Sequence, residues 1–281
     1  MQHTTSPLIP PSDIPLQTGT VILDARSGAD AHDRYLAGHL QGALHVDLDK
    51  TLTKLPENPA YGGRHPLPPI GDFAASLGSL GISPSTDIVV YDDKYGANAA
   101  ARLWWMLRAV GHQHVRVVDG GLAAIIHEGL PMTSVVRTVS PAPRYPVQHW
   151  VMPTVSIEEV ANASSGDSGK LIVDVREAYR YRGESEPIDL VAGHIPGAIN
   201  IPYLENLTPD GAFRPAEELA SRYNNAIKGY DPADVVVHCG SGVTACHTLL
   251  ALEQAGIHGA SLYVGSWSEW SRRDQPMDKS V

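Results

Sequence analysis

Short runs of β-branched and aliphatic residues recur along the chain, each running into a charged or small residue: VILDAR (21–26), DIVVYDD (87–93), LIVDVR (171–176) and DVVVHCG (234–240). They lack the alternation of a half-exposed strand, and that continuity predicts parallel strands covered on both faces. Between them, apolar residues fall at helical spacing. ARLWWMLRAVG (101–111) and TACHTLLALEQAG (244–256) each close on a glycine suited to a helix C-cap. Strands alternating with helices imply an α/β protein, with helices packed over mostly parallel sheets.

The same order of signals occurs twice. VILDAR, AGHLQGALHVDL (37–48), DIVVYDD, AVGHQHVRVVDGG (109–121) and GLPM (129–132) are followed by LIVDVR, AGHIPGAINIPY (192–203), DVVVHCG, QAGIHGASLYVGS (254–266) and QPM (275–277). The period is a whole domain, which marks a duplicated fold and not an array of small repeats. Between the copies, PAPRYPVQHWVMP (141–153) is rich in proline and follows neither period. It is expected to be a linker, with an N-terminal domain at 1–140 and a C-terminal domain at 154–281.

Composition narrows the partners. A chain of 281 residues with 43% hydrophobic content can bury two cores. A formal net charge of −10 argues against a long phosphate-binding surface, so nucleic acid is not an expected partner. A small anionic substrate would need a local cationic pocket set against that charge. No apolar run approaches the ~20 residues that span a bilayer, and no membrane association is expected. Residues 1–15 show no basic-then-apolar leader pattern, and two cysteines make no disulfide framework. A reducing, cytoplasmic setting is the expectation.

The duplication supplies an internal control, because shared positions point to structure and divergent ones to chemistry. The sharpest divergence follows the DIVVY and DVVVH strands. The first copy continues Asp92-Asp93-Lys94-Tyr95-Gly96-Ala97-Asn98, and the second continues Cys239-Gly240-Ser241-Gly242-Val243-Thr244-Ala245. A strand ending at Cys239, a loop with two glycines and a helix start near Thr244 can aim successive N–H groups inward. Gly240, Gly242, Val243 and Thr244 would then form a cradle for an anion, lowering the thiol's pKa from its free value of about 8.5. The alternative is that Cys239 is a small core residue. Cys246 lies inside the predicted helix and is read as packing. Two cysteines seven residues apart, with no paired ligand motif, do not make a zinc site.

The segment Cys239–Ala245 resembles the active-site loop of the 3-mercaptopyruvate sulfurtransferases, members of the tandem rhodanese superfamily. Related thiosulfate sulfurtransferases carry basic residues after the cysteine, where this chain has Gly240 and Ser241. The likeness runs through AGHLQGA and AGHIPGA, Arg102-Leu103-Trp104-Trp105, Asp119-Gly120-Gly121 and Gly265-Ser266-Trp267-Ser268-Glu269-Trp270. It implies two tandem rhodanese-like domains, each a mostly parallel sheet flanked by helices. The N-terminal copy would be inactive, with Asp92 in the cysteine position, and the site would lie between the domains.

The resemblance also implies roles. Cys239 becomes the sulfur acceptor, and Ser241 joins a relay with His65 (in GRHPLP) and Asp49 (in HVDLDK). The bare residue context leaves His65 equally readable as a loop histidine. Arg180 and Arg182, in YRYRGE, are candidate cations for a substrate carboxylate, since a guanidinium fork suits a planar carboxylate. Arg180 matches the family's binding arginine, and the family's second binding arginine has no counterpart in EPIDLVAGH, where Arg182 is a possible substitute. Each arginine is alternatively a surface ion-pair partner. His39 and His194 occur in both copies and are read as structural.

The expected activity is transfer of sulfane sulfur from 3-mercaptopyruvate to a thiol, cyanide or thioredoxin-like acceptor through a Cys239 persulfide, releasing pyruvate. It calls for no cofactor beyond that covalent intermediate. A thiosulfate:cyanide sulfurtransferase is the nearest alternative, and a non-catalytic sulfur-carrier module is a further one. Ala245 stands where Cys-x5-Arg would need its arginine, which argues against a Cys-loop phosphatase.

Overall fold

The computed structural model describes residues 6–16 and 19–280. The chain divides into two compact units. The first comprises residues up to Lys54, Leu67–Val151 and Asp210–Ala212, and the second comprises Leu55–Pro66, Met152–Pro209 and Phe213 onward. Residues 55–66 therefore pack with the second unit although they precede most of the first in sequence, an exchange that the repeat pattern does not announce.

Strands of the first unit are β1 (Leu8–Ile9), β2 (Thr20–Asp24), β3 (His39–Leu40), β4 (Leu44–His45), β5 (Asp87–Tyr91), β6 (Val115–Val118) and β7 (Met132–Thr133). Five of them form a parallel sheet in the order β1-β6-β5-β2-β4, and β3 pairs antiparallel with β7. In the second unit, β8 (Thr154–Val155), β9 (Leu171–Asp174), β10 (Ile199–Asn200), β11 (Val235–His238) and β12 (Ser261–Tyr263) form a parallel sheet in the order β10-β9-β11-β12-β8. Read from opposite ends, the two orders coincide. Both central strands are fully buried beyond their first residue, as continuous apolar runs require.

Equivalent side chains repeat the same bonds. Each VILDAR-type strand ends in a buried ion pair, Arg26 on Asp24 and Arg176 on Asp174, at 2.6 and 2.5 Å. Each arginine also donates to a glycine carbonyl of the AGH motif, Gly38 or Gly193. His39 and His194 bond by Nδ1 to the carbonyls of Tyr35 and Tyr181 and stack on those same rings, with centroids 3.9 Å apart in both copies. The AGH motif is thus a structural lock.

The Pro-rich stretch after residue 140 lies along the first unit. Ala142, Tyr145 and Val151 donate backbone bonds to Gly78, Ala74 and Ala109, and the Trp150 ring meets Phe73.

Candidate active site

Cys239 follows the C-terminal end of the central strand β11, 1% exposed, and the helix Thr244–Gln254 begins five positions later. The loop backbone folds back so that the Gly242 N–H donates to the Cys239 sulfur at 3.2 Å. Gly242 has φ +74, and a β-carbon there would stand 2.5 Å from the Val264 carbonyl oxygen, so only glycine fits the turn. The other side of the loop is fixed by the GSWSEW segment. Trp267 and Ser268 N–H groups bond the carbonyls of Cys239 and Gly240, and Ser266 Oγ accepts from the Cys239 N–H. Cys246 is fully buried in the helix with its thiol donating to the Gly242 carbonyl, a packing position.

The same GSWSEW segment holds residues 62–64. Glu269 accepts the Gly62 N–H at 2.8 Å, and Ser268 Oγ accepts the Arg64 N–H at 3.0 Å. Gly63, at φ +78, lies so close that a β-carbon would sit 2.3 Å from the Gly265 carbonyl. This docking brings half-buried His65 to the cysteine loop, with His65 Nδ1 and Ser241 Oγ 2.7 Å apart. Asp49 belongs to the first unit, exposed in the short helix Leu48–Thr51. Partial burial and the neighbouring Asp47 raise its carboxyl above the usual carboxylate range.

Cations surround the glycine of an uncharged loop. A β-carbon at position 240 would stand 3.2 Å from Arg64 Nη2 and 3.4 Å from Arg180 Nη2. Arg180 is nearly buried and engaged on every nitrogen. Its Nε and Nη2 grip Glu186, its Nη1 reaches Glu177 at 3.4 Å, and Asp189 lies 3.6 Å from Nη2. Burial opposes charge on Arg180, and the Glu186 contact raises its pKa in spite of that, while Arg180 in turn holds the Glu186 carboxyl below its usual range against burial. Arg182 is exposed and pairs with exposed Glu184, away from any buried partner. Val243 is buried beside the loop and Thr244 opens the helix.

The first unit shows what the equivalent loop does with an anion of its own. Asp92, fully buried at the end of β5, accepts four backbone N–H bonds, from Lys94 and Gly96 on Oδ1 and from Asn98 and Ala100 on Oδ2, at 2.8–3.0 Å. Burial pushes this carboxyl up while the four donors favour its charged form. In this copy the strand-loop-helix turn is a cradle of four N–H groups, and a carboxylate of the protein fills it.

A family model described as a rhodanese-like domain matches residues 14–128 and again 156–273. The chain belongs to the rhodanese-like family. This rhodanese-like tandem is similar, at 40% identity over 84% of its length and 82% of the relative's, to a Pseudomonas aeruginosa protein named "Probable 3-mercaptopyruvate sulfurtransferase". It is 35% identical to the thiosulfate sulfurtransferase of Bos taurus over 88% of this chain and 82% of that one. Among solved structures it resembles the 3-mercaptopyruvate sulfurtransferase from Leishmania major, with a TM-score of 0.82, 31% identity, and coverage of 94% of this chain and 74% of that one. The α/β architecture and tandem arrangement expected from the sequence are those of the rhodanese-like family.

Two residues of the rhodanese-like site escaped sequence reasoning. Arg64 was visible only as a neighbour of His65, and Asp189 only as part of a segment lacking an arginine. Asp189 is fully buried beneath three guanidinium groups, with Arg64 Nε at 3.1 Å, Arg272 Nη1 at 2.9 Å and Arg180 Nη2 at 3.6 Å. A buried carboxylate needs such partners, but sequence separations of 125 and 83 residues leave no local pattern to reveal them.

Proposed function

We propose that this protein is a sulfurtransferase that carries sulfur as a persulfide on Cys239, with 3-mercaptopyruvate as donor. The observation that carries the reading is the Cys239 sulfur under the Gly242 N–H, on a loop whose counterpart cradles a carboxylate. The names of the relatives support the same chemistry. In the first half-reaction the Cys239 thiolate attacks the donor's thiol sulfur. An S–S bond forms, the donor's C–S bond breaks, and its electron pair leaves as the enolate of pyruvate, which takes a proton at carbon. In the second, an acceptor thiolate, a thioredoxin-like protein thiol among them, or cyanide attacks the outer sulfur and returns the Cys239 thiolate.

Each proposed residue has a defined task. Ser241 and His65, in hydrogen-bond contact, are placed to hold the proton that the enolate requires. Gly240, Gly242, Val243 and Thr244 shape the cradle, and Arg180 adds positive charge beside it. Asp49 as a partner of His65 remains part of the proposal on the family pattern, and exposed Arg182 contributes least to it.

Thiosulfate is a second reading with an observation of its own. The loop carries no basic side chain, yet two guanidinium groups stand where such a side chain would begin. Steady-state rates with both donors, using cyanide as acceptor, decide between the readings. The account predicts a higher kcat/KM for 3-mercaptopyruvate, and a preference for thiosulfate would replace it with the second reading.

A further inference from the structure

The cations around Gly240 are not equivalent. Arg176 and Arg180 lie among three carboxylates, Asp174, Glu177 and Glu186, which engage them directly. Arg64 and Arg272 have Asp189 alone as carboxylate partner. The four guanidinium groups and the four carboxylates of the cluster balance in number, but Asp189 is shared among three of the arginines and leaves Arg64 without a second carboxylate.

The least engaged of these guanidinium groups is that of Arg64. Its Nε and Nη2 are held edge-on by Asp189, at 3.1 and 3.4 Å, and its backbone is pinned by Ser268. Its Nη1 makes no bond among the described residues, and its side chain is 26% exposed, against 7% for Arg180 and 14% for Arg272. Arg272 turns its Nη1 to both Asp189 and the Ser268 carbonyl. Arg64 therefore combines a fixed orientation, an available donor edge and proximity to Gly240. A guanidinium held this way loses little rotamer freedom on meeting an anion.

We propose that Arg64, clamped by Asp189, recognises the anionic end of the sulfur donor at the Cys239 loop, and that Arg180 supports the site from beneath. The proposal rests on Cys239 being the nucleophile, and it moves the anion contact from an arginine within YRYRGE to one in the 55–66 segment. The shared chemistry is a small oxyanion, either the carboxylate of 3-mercaptopyruvate or the oxygens of thiosulfate.

The test compares alkylation of Cys239 by anionic iodoacetate and neutral iodoacetamide, read by peptide mass, in the wild type, Arg64→Met, Arg64→Lys and Arg180→Met. Field focusing in a cleft lined by one sign of charge changes anion capture by roughly tenfold or more. The iodoacetate-to-iodoacetamide rate ratio should fall about tenfold in Arg64→Met, and Arg64→Lys should retain most of it. An unchanged iodoacetamide rate shows that the loop is intact. A ratio unaffected by Arg64→Met but lowered by Arg180→Met would overturn the assignment, and a Cys239 that neither reagent modifies would overturn both this proposal and the persulfide reading. Donor kinetics separate the two sources. A higher KM in Arg64→Met for 3-mercaptopyruvate alone identifies a carboxylate contact, a higher KM for both donors a general oxyanion contact, and a change for neither overturns the role.

Discussion

The two strand-loop-helix turns start from the same topology and end in different chemistry. In the first copy β5 ends at Tyr91, whose hydroxyl donates to Asp24, and the loop that follows closes around Asp92 with four N–H bonds. In the second, β11 ends at His238, and the loop from Gly240 to Val243 is two residues shorter than the stretch from Asp93 to Asn98. Its anchored atom is a sulfur that accepts, among the described residues, one N–H, that of Gly242. The comparison teaches that the fold builds the cradle and the residue at the strand end decides its use. In the first copy a permanent carboxylate makes it a structural rivet, whereas in the second a thiol stands at the strand end, the position that the proposed persulfide requires.

The largest effect expected in the first copy is on stability. Asp92→Ala strips the acceptor from four buried donors, which should cost on the order of 3 kcal/mol. Thermal or denaturant unfolding should record that loss, while turnover per folded molecule stays near that of the wild type. A stable Asp92→Ala protein with selectively lost kcat would show that the first copy takes part in the chemistry.

A smaller effect distinguishes the strand ends by pH. His238 is fully buried, and desolvation holds its pKa below the ordinary 6.5, against a smaller opposing pull from Asp174 3.7 Å away. As pH falls below 6.5, the unfolded chain binds a proton at this site that the folded chain refuses. Stability should therefore decline from 6.5 downward to the folded value, by at most about 1.4 kcal/mol per pH unit for one proton. His238→Tyr, which installs the first copy's residue, should flatten that part of the melting-temperature profile. A profile unchanged by the substitution would assign the acid sensitivity elsewhere, for example to His45 or His112, which burial also lowers.

Much of this was legible in the chain because duplication repeats its signals. Continuous apolar runs marked the buried strands, glycines marked the helix ends, and the mismatch between Asp92 and Cys239 marked the divergent loop. What was hidden depends on contacts between distant segments. The docking of residues 55–66 on GSWSEW needs Gly62, Gly63, Ser268 and Glu269 together, and no local period connects them. The engagement of Arg180 by Glu186 and the burial of Asp189 were likewise unreadable, since a charged residue in a loop looks exposed until its partners are known. Ser241 and His65, which only the family pattern joined, lie 2.7 Å apart across 176 residues of sequence.

The central claim is that the second cradle, and not the first, carries the sulfur. Its most direct test is mass mapping of the protein after exposure to 3-mercaptopyruvate without acceptor, for the wild type, Cys239→Ser and Cys246→Ser. The account predicts one added sulfur on the Cys239 peptide in the wild type and Cys246→Ser, and none in Cys239→Ser. Sulfur retained by Cys239→Ser, or found on the Cys246 peptide of the wild type, would contradict it.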